Sequence, residues 1–151
     1  MSPADLHVTL FVAGFPTDAP AHDDDVGWAV LQRQRDRLRF PGFSIEVGAA
    51  NSFSSAPFLE VWDVGGGIAR VRSQLAGEGS EQRFAAYQPH LTIGTYRRSE
   101  AAAPVRAVLQ RWREAPRVQV GVSSVELVTF DATRAGSVLE TVFSVECVRG
   151  V

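Results

Sequence analysis

Cysteine is nearly absent: Cys147 stands alone, which excludes an internal disulfide and a cysteine-built metal site. It falls in a strand-like run and is expected to be a small buried apolar residue. Long apolar runs are missing as well, since no stretch approaches the roughly 18 residues needed to span a bilayer. The amino terminus, MSPADLHVTL, sets no basic segment before an apolar one, which predicts no secretory signal and a cytoplasmic protein. Nor is there a basic excess, because 15 basic against 17 acidic residues leave a formal net charge of −2. Proteins that grip long nucleic acid by neutralising phosphates carry such an excess as a rule. A nucleic-acid substrate is therefore expected to be small or held at one end. No GxGxxG joins a strand to a helix, and Gly65-Gly66-Gly67 is followed by no Lys or Ser/Thr to close a P-loop. Rossmann and phosphate-loop readings are disfavoured on that ground.

What is present fits one compact α+β domain. The 151 residues are 45% apolar and 21% charged, enough for a sizeable core. Residues 6–15 (LHVTLFVAGF) read as a strand, and residues 16–24 as a polar loop. Asp25 is a plausible N-cap for a helix over about 26–40, stopped by Pro41 and Gly42. Residues 43–47 alternate as a half-buried strand, and 57–64 read as its antiparallel neighbour. A turn at 65–67, a short helix over 68–75 and a polar loop over 76–82 follow. The pattern then restarts: a strand over 90–96, then a helix over 101–114 with Val105, Val108, Leu109 and Trp112 on one side. Pro116 breaks this helix. Two strands over 118–130 and 138–148 finish the chain, with a turn at 134–136 between them. The first is long enough to predict a kink near Ser123 and Ser124. Each half thus reads strand, helix, strand, strand, which predicts two lobes, about 1–76 and 84–151, meeting at a central cleft.

Both halves begin with the same short pattern, His7-Val8-Thr9-Leu10 and His90-Leu91-Thr92-Ile93. Strand side chains alternate faces, so each His and its Thr project to one side while the aliphatic residues anchor the other. Phosphodiester cleavage needs one group to take a proton from the attacking oxygen and another to protonate the leaving oxygen. Histidine does either near neutral pH. The Thr hydroxyls suit the non-bridging phosphate oxygens, where charge builds up. Nothing in this scheme requires a metal or another cofactor. One HxT alone is common in strands; two copies in matching contexts point to function.

LHVTL and PHLTIG resemble the paired HxT signature of the 2H phosphoesterase superfamily, which includes the 2′-5′ RNA ligase-like proteins, or RNA 2′,3′-cyclic phosphodiesterases. The resemblance spans nearly the whole chain in element order. It implies a bilobal α+β fold with antiparallel sheets flanking a central groove. It also implies that His7 and His90 form the catalytic pair, with Thr9 and Thr92 on the phosphate. Only six residues precede His7, where many members carry a strand and a helix. Thr95 stands where many members have arginine five residues after the second histidine, with Arg97 and Arg98 slightly later.

Around the motifs, Phe11, Phe53 and Tyr96 are candidates to border the groove and stack on a base. Tyr87 is a candidate to reach the phosphate with its hydroxyl, and Arg97 and Arg98 are the cations nearest the second motif. Each has an ordinary alternative in core packing or solvation. His22 with Asp23, Asp24 and Asp25 is better explained by a helix start than by a metal, since adjacent residues do not converge on one ion. The expected activity is hydrolysis of a cyclic phosphate or phosphodiester on a nucleotide or RNA terminus, by a monomer with no obligate protein partner. A non-catalytic nucleotide-binding module is the alternative, and a metal-dependent hydrolase using His22 and the aspartates a third.

Overall fold

The alternation at residues 43–47 and 57–64 produces the antiparallel pair around which the molecule is built. The computed structural model describes residues 6–82, 86–99, 101–134 and 137–148. In chain order its elements are β1 (Phe15–Thr17), β2 (Asp25–Gly27), α1 (Trp28–Arg37), β3 (Phe43–Ser52), β4 (Pro57–Trp62) and α2 (Gly67–Ala76). β5 (His90–Thr92), α3 (Ala102–Gln110), β6 (Val118–Val122), β7 (Ser124–Thr129) and β8 (Glu140–Glu146) follow. The main sheet has the order β5-β4-β3-β6, antiparallel throughout, and takes two strands from each half of the chain. β7 and β8 form a separate antiparallel pair, and β1 and β2 a short parallel one.

One face of the main sheet is the core. Ile45, Val47 and Val61 pack there with Ile68 of α2, joined by the partly buried Val8, Leu59 and Leu91. A second cluster, Leu38, Phe40 and Val71, lies against Val125, Val145 and Cys147 from the β7–β8 region. Leu10 and Phe43 pack against both clusters and make them continuous. α2 begins where Asp63 accepts the backbone N–H groups of Ile68 (3.1 Å) and Ala69 (2.9 Å), an acidic cap at the positive end of the helix. Its first residue has to be small, because a Cβ on Gly67 would lie 2.2 Å from the Phe43 ring.

Several boundaries differ from the pattern of the sequence. The strand expected over 6–15 is not continuous: Val8 alone bridges to Leu91, and regular pairing starts only at Phe15. Gly14, at φ +115°, turns the backbone there and brings Phe15 N–H to the Asp24 carbonyl at 2.8 Å. The helix expected from 26 starts at Trp28, because residues 25–27 pair with β1 instead. Its N-cap is Gly27, and no side chain caps it. Asp25 instead ties the preceding loop, accepting the N–H groups of Ala21 (2.8 Å) and His22 (2.9 Å). The same helix ends at Arg37, and Leu38 and Phe40 enter the core from extended chain.

The strand expected over 90–96 is regular only to Thr92. Beyond it, Ile93 and Tyr96 N–H groups reach the carbonyls of Pro57 and Ser55 outside any ladder. α3 does not bury the four apolar residues as one face: Val108 and Trp112 are both 60% exposed. The helix meets the end of β3 rather than a full sheet face. The expected kink near Ser123 is a break that sends β6 and β7 to different sheets. Cys147 is half-buried rather than enclosed. Ala135 and Gly136 of the expected turn, and residue 84 at the expected lobe boundary, lie outside the described residues. Among the described residues, no helix is long and apolar enough to cross a membrane.

Candidate functional site

β4 presents Leu59 and Val61 to the core, so Phe58, Glu60 and Trp62 point to the opposite face of the sheet. Its register with β5 pairs Phe58 with Thr92, Leu59 with Leu91 and Glu60 with His90. His90 and Thr92 therefore share the face turned away from the core, with Leu91 as the anchor between them. The first motif continues this pattern through the antiparallel bridge between Val8 and Leu91. Carried one residue in each direction, that register sets His7 opposite Thr92 and Thr9 opposite His90. Facing positions in such a pair are about 4.5–5.5 Å apart at Cβ, and diagonal ones about 7–8 Å. The bridge brings the backbones of the two motifs, 83 positions apart in sequence, side by side in antiparallel register. His7 is exposed, and Thr9, His90 and Thr92 are half-buried.

His90 is held on two sides. Its Nδ1 lies 2.7 Å from the carbonyl oxygen of Gln88. A carbonyl only accepts, so Nδ1 carries the hydrogen and the neutral ring has its lone pair on Nε2. Phe53 and Phe58 stack on one another, with ring centroids 4.2 Å apart, and meet the imidazole edge-on at 4.8 and 5.5 Å. The ring is thereby fixed in tautomer and in orientation. Phe58, at 1% exposure, is the buried layer, and the exposed Phe53 is the outer wall. Sequence reading found Phe53 but not Phe58, which as an apolar strand residue looks no different from core.

The remaining candidates divide. Tyr96 donates to or accepts from Ser52 Oγ at 2.8 Å, closing the rim beside Phe53. Arg98 is exposed and lines the cavity that opens there, whereas Arg97 is exposed at the bend. Phe11 is half-buried two residues past Thr9. Tyr87 donates its hydroxyl to the Thr9 carbonyl at 3.1 Å, so this bond holds the first motif's backbone. Arg72 of α2 lies over the Tyr87 ring, 3.6 Å from its centroid, and donates to the Leu10 carbonyl. Glu81 fixes Arg72 through two bonds of 3.0 and 2.7 Å. These two carbonyls belong to a segment with little ladder pairing, and side chains supply the donors. Neither Arg72 nor Glu81 carries a sequence signal for this, because Arg72 serves a backbone carbonyl 62 residues away and Glu81 acts by holding Arg72. Asn51, also unmarked in the sequence, donates to Glu60 at 2.7 Å on the same open face.

The cavity beside this face encloses about 530 Å³ between the end of β3, residues 96–99 and α3. A bulge between Gly48 and Ala50, with Ala49 at φ 44°, bends β3 so that residues 51–54 form its near wall. Among the described residues, no group of three His, Cys, Asp or Glu side chains is gathered for a metal ion, and Asp25 is engaged in its own loop.

The sequence profile of the 2′-5′ RNA ligase superfamily matches residues 2–134. Among solved structures, the fold is similar to that of E. coli LigT, whose crystal structure is of a complex with 3′-AMP. The TM-score is 0.64 at 20% identity, over 98% of this chain and 80% of LigT. At that identity the likeness is one of fold. A search of curated proteins finds no match. With the profile running across both HxT segments and most of the sheet between them, the chain belongs to the 2′-5′ RNA ligase superfamily.

Proposed function

We propose that this protein hydrolyses a cyclic phosphate or phosphodiester on a nucleotide or RNA terminus, with a 2′,3′-cyclic end opening to a 2′-phosphate as the preferred case. The observation that supports this reading is the antiparallel Val8–Leu91 bridge, which brings the two HxT segments side by side. A phosphate seated between them has an imidazole on each side and a threonine hydroxyl beside each imidazole. One histidine takes the proton of the attacking water as its oxygen bonds to phosphorus. The other gives a proton to the ribose oxygen as the P–O bond breaks, and the proton count balances. Thr9 and Thr92 donate to the non-bridging oxygens as charge grows there. The Gln88 carbonyl leaves His90 Nε2 as the reacting nitrogen. The scheme calls for no metal ion. The bound 3′-AMP of the fold relative LigT is consistent with a nucleotide in such a groove.

The test is turnover of 2′,3′-cyclic nucleotides and short RNAs with cyclic ends, with and without EDTA. We expect activity that survives the chelator and a bell-shaped pH profile. His7→Ala and His90→Ala each lower kcat by about 10²–10⁴-fold. Full turnover by either variant sinks the assignment. Binding without any product favours a nucleotide-binding module instead.

A further inference from the structure

All 15 basic residues of this chain are arginine. Among the described residues, Arg33, Arg35, Arg37, Arg72 and Arg117 each pair with an acidic side chain. Arg106 and Arg113 do not. Both line the 530 Å³ cavity, as does Arg98. No carboxylate is among the described residues that line this cavity. Arg106 and Arg113 thus bring two guanidinium groups without a carboxylate partner among the described residues to one cavity wall, on a chain whose net charge is −2. Arg106 and Arg113 place positive charge inside a concave surface, which focuses the field there.

The geometry gives the trough a direction. Its long wall is α3, Ala102–Gln110, about 13 Å at 1.5 Å per residue, and continues through the turn beyond it to Arg113. Val105 and Leu109 give that wall an apolar floor, and Phe53 and Tyr96 close the end nearest His90. Successive phosphates of a strand in helical geometry advance about 3.4 Å, so the trough is longer than one nucleotide. A mononucleotide with its phosphate between the HxT motifs leaves the far arginines unused. Guanidinium groups hold phosphate through two parallel hydrogen bonds, and exposed aromatics accept a base of any identity.

We propose that Arg106 on α3 and Arg113 in the turn beyond it form a second anion subsite, which holds phosphates further along a single strand and makes the protein prefer an oligonucleotide end to a mononucleotide. Arg106 and Arg113 are its specificity-determining residues, with Arg98 at the junction to the HxT site. The inference rests on the phosphoesterase reading for its link to turnover, but the subsite itself is open to a binding measurement.

Two readouts are taken on the wild type and on an Arg106→Gln/Arg113→Gln variant, with an Arg106→Lys/Arg113→Lys variant as the charge-preserving control. The first is the ratio of kcat/KM for a trinucleotide with a 2′,3′-cyclic end to that for a 2′,3′-cyclic mononucleotide. The second is fluorescence anisotropy of a labelled trinucleotide with a 3′-phosphate, across a salt series. We expect a wild-type ratio above unity that falls about tenfold or more in the Gln variant and is largely kept in the Lys variant. The salt slope of binding should flatten by about 0.7 for each phosphate left without its guanidinium. An unchanged ratio and an unchanged slope overturn the subsite while leaving hydrolysis standing. Arginine-dependent trinucleotide binding with no turnover of any substrate keeps the subsite and overturns the hydrolytic reading instead.

Discussion

Tyr87 stands three residues before His90, yet its hydroxyl donates to the carbonyl of Thr9 at 3.1 Å. A single O–H therefore ties the approach to the second motif to the backbone of the first. Tyr87→Phe keeps the ring under Arg72 and deletes this bond. The expected loss is about 1 kcal/mol of stability. Because the deleted bond sets where Thr9 sits, kcat is expected to fall about tenfold as well. Thermal unfolding and cyclic-nucleotide turnover, measured together, check this; a stability loss with wild-type kcat assigns the bond to folding alone. At this scale the motif residues were legible because His and Thr two apart carry their own chemistry. Tyr87 was legible as a candidate for the phosphate but not as a donor to Thr9, and Arg72 with its partner Glu81 not at all, since a side chain that serves a distant carbonyl looks like any surface residue until the two are adjacent.

Elements were legible where periodicity and packing agree. β4 and α2 form close to where alternation and spacing set them, and β3 starts as expected at Phe43 but runs on to Ser52, because Ile45, Val47, Val61 and Ile68 meet in one core. The first-motif strand and α3 are the counterexamples. Residues 6–14 have strand composition but only the Val8–Leu91 bridge, and α3 has helical spacing but lacks a broad apolar partner. Composition reports what a segment tolerates, whereas pairing needs a neighbour with free backbone groups. α2 offers a test of how closely its start is packed. Helical Gly→Ala changes usually stabilise, by about 1 kcal/mol. Gly67→Ala should do the reverse, destabilising by about 1–3 kcal/mol, because the new Cβ meets the Phe43 ring that links both clusters. Gly65→Ala, with nothing within 4 Å, should be near neutral. Urea midpoints of the two variants decide it, and equal midpoints would remove the steric account.

For the molecule as a whole, two exposed turns couple stability to pH. The N–H groups of Ala21 and then His22 hold the Asp25 carboxyl below its usual 3.8. The Thr133 hydroxyl and then its N–H do the same for Asp131. A carboxyl that ionises more readily folded than unfolded contributes stability above the unfolded value, and that contribution is lost as pH falls through the folded value. Unfolding followed between about pH 5 and about pH 2.5 should show this loss, reduced in an Asp25→Asn/Asp131→Asn variant. An identical slope in that variant would rule these turns out as a source. The sequence alone determined the α+β class, the two HxT motifs and the faces their residues occupy, because all of these follow from local chemistry and a two-residue period. Only tertiary structure decided that the motifs run antiparallel on neighbouring segments, that Phe53 and Phe58 brace His90, and that an arginine-lined trough opens beside them. These depend on contacts between residues far apart in the chain, and local pattern carries no record of which distant partner a segment will meet.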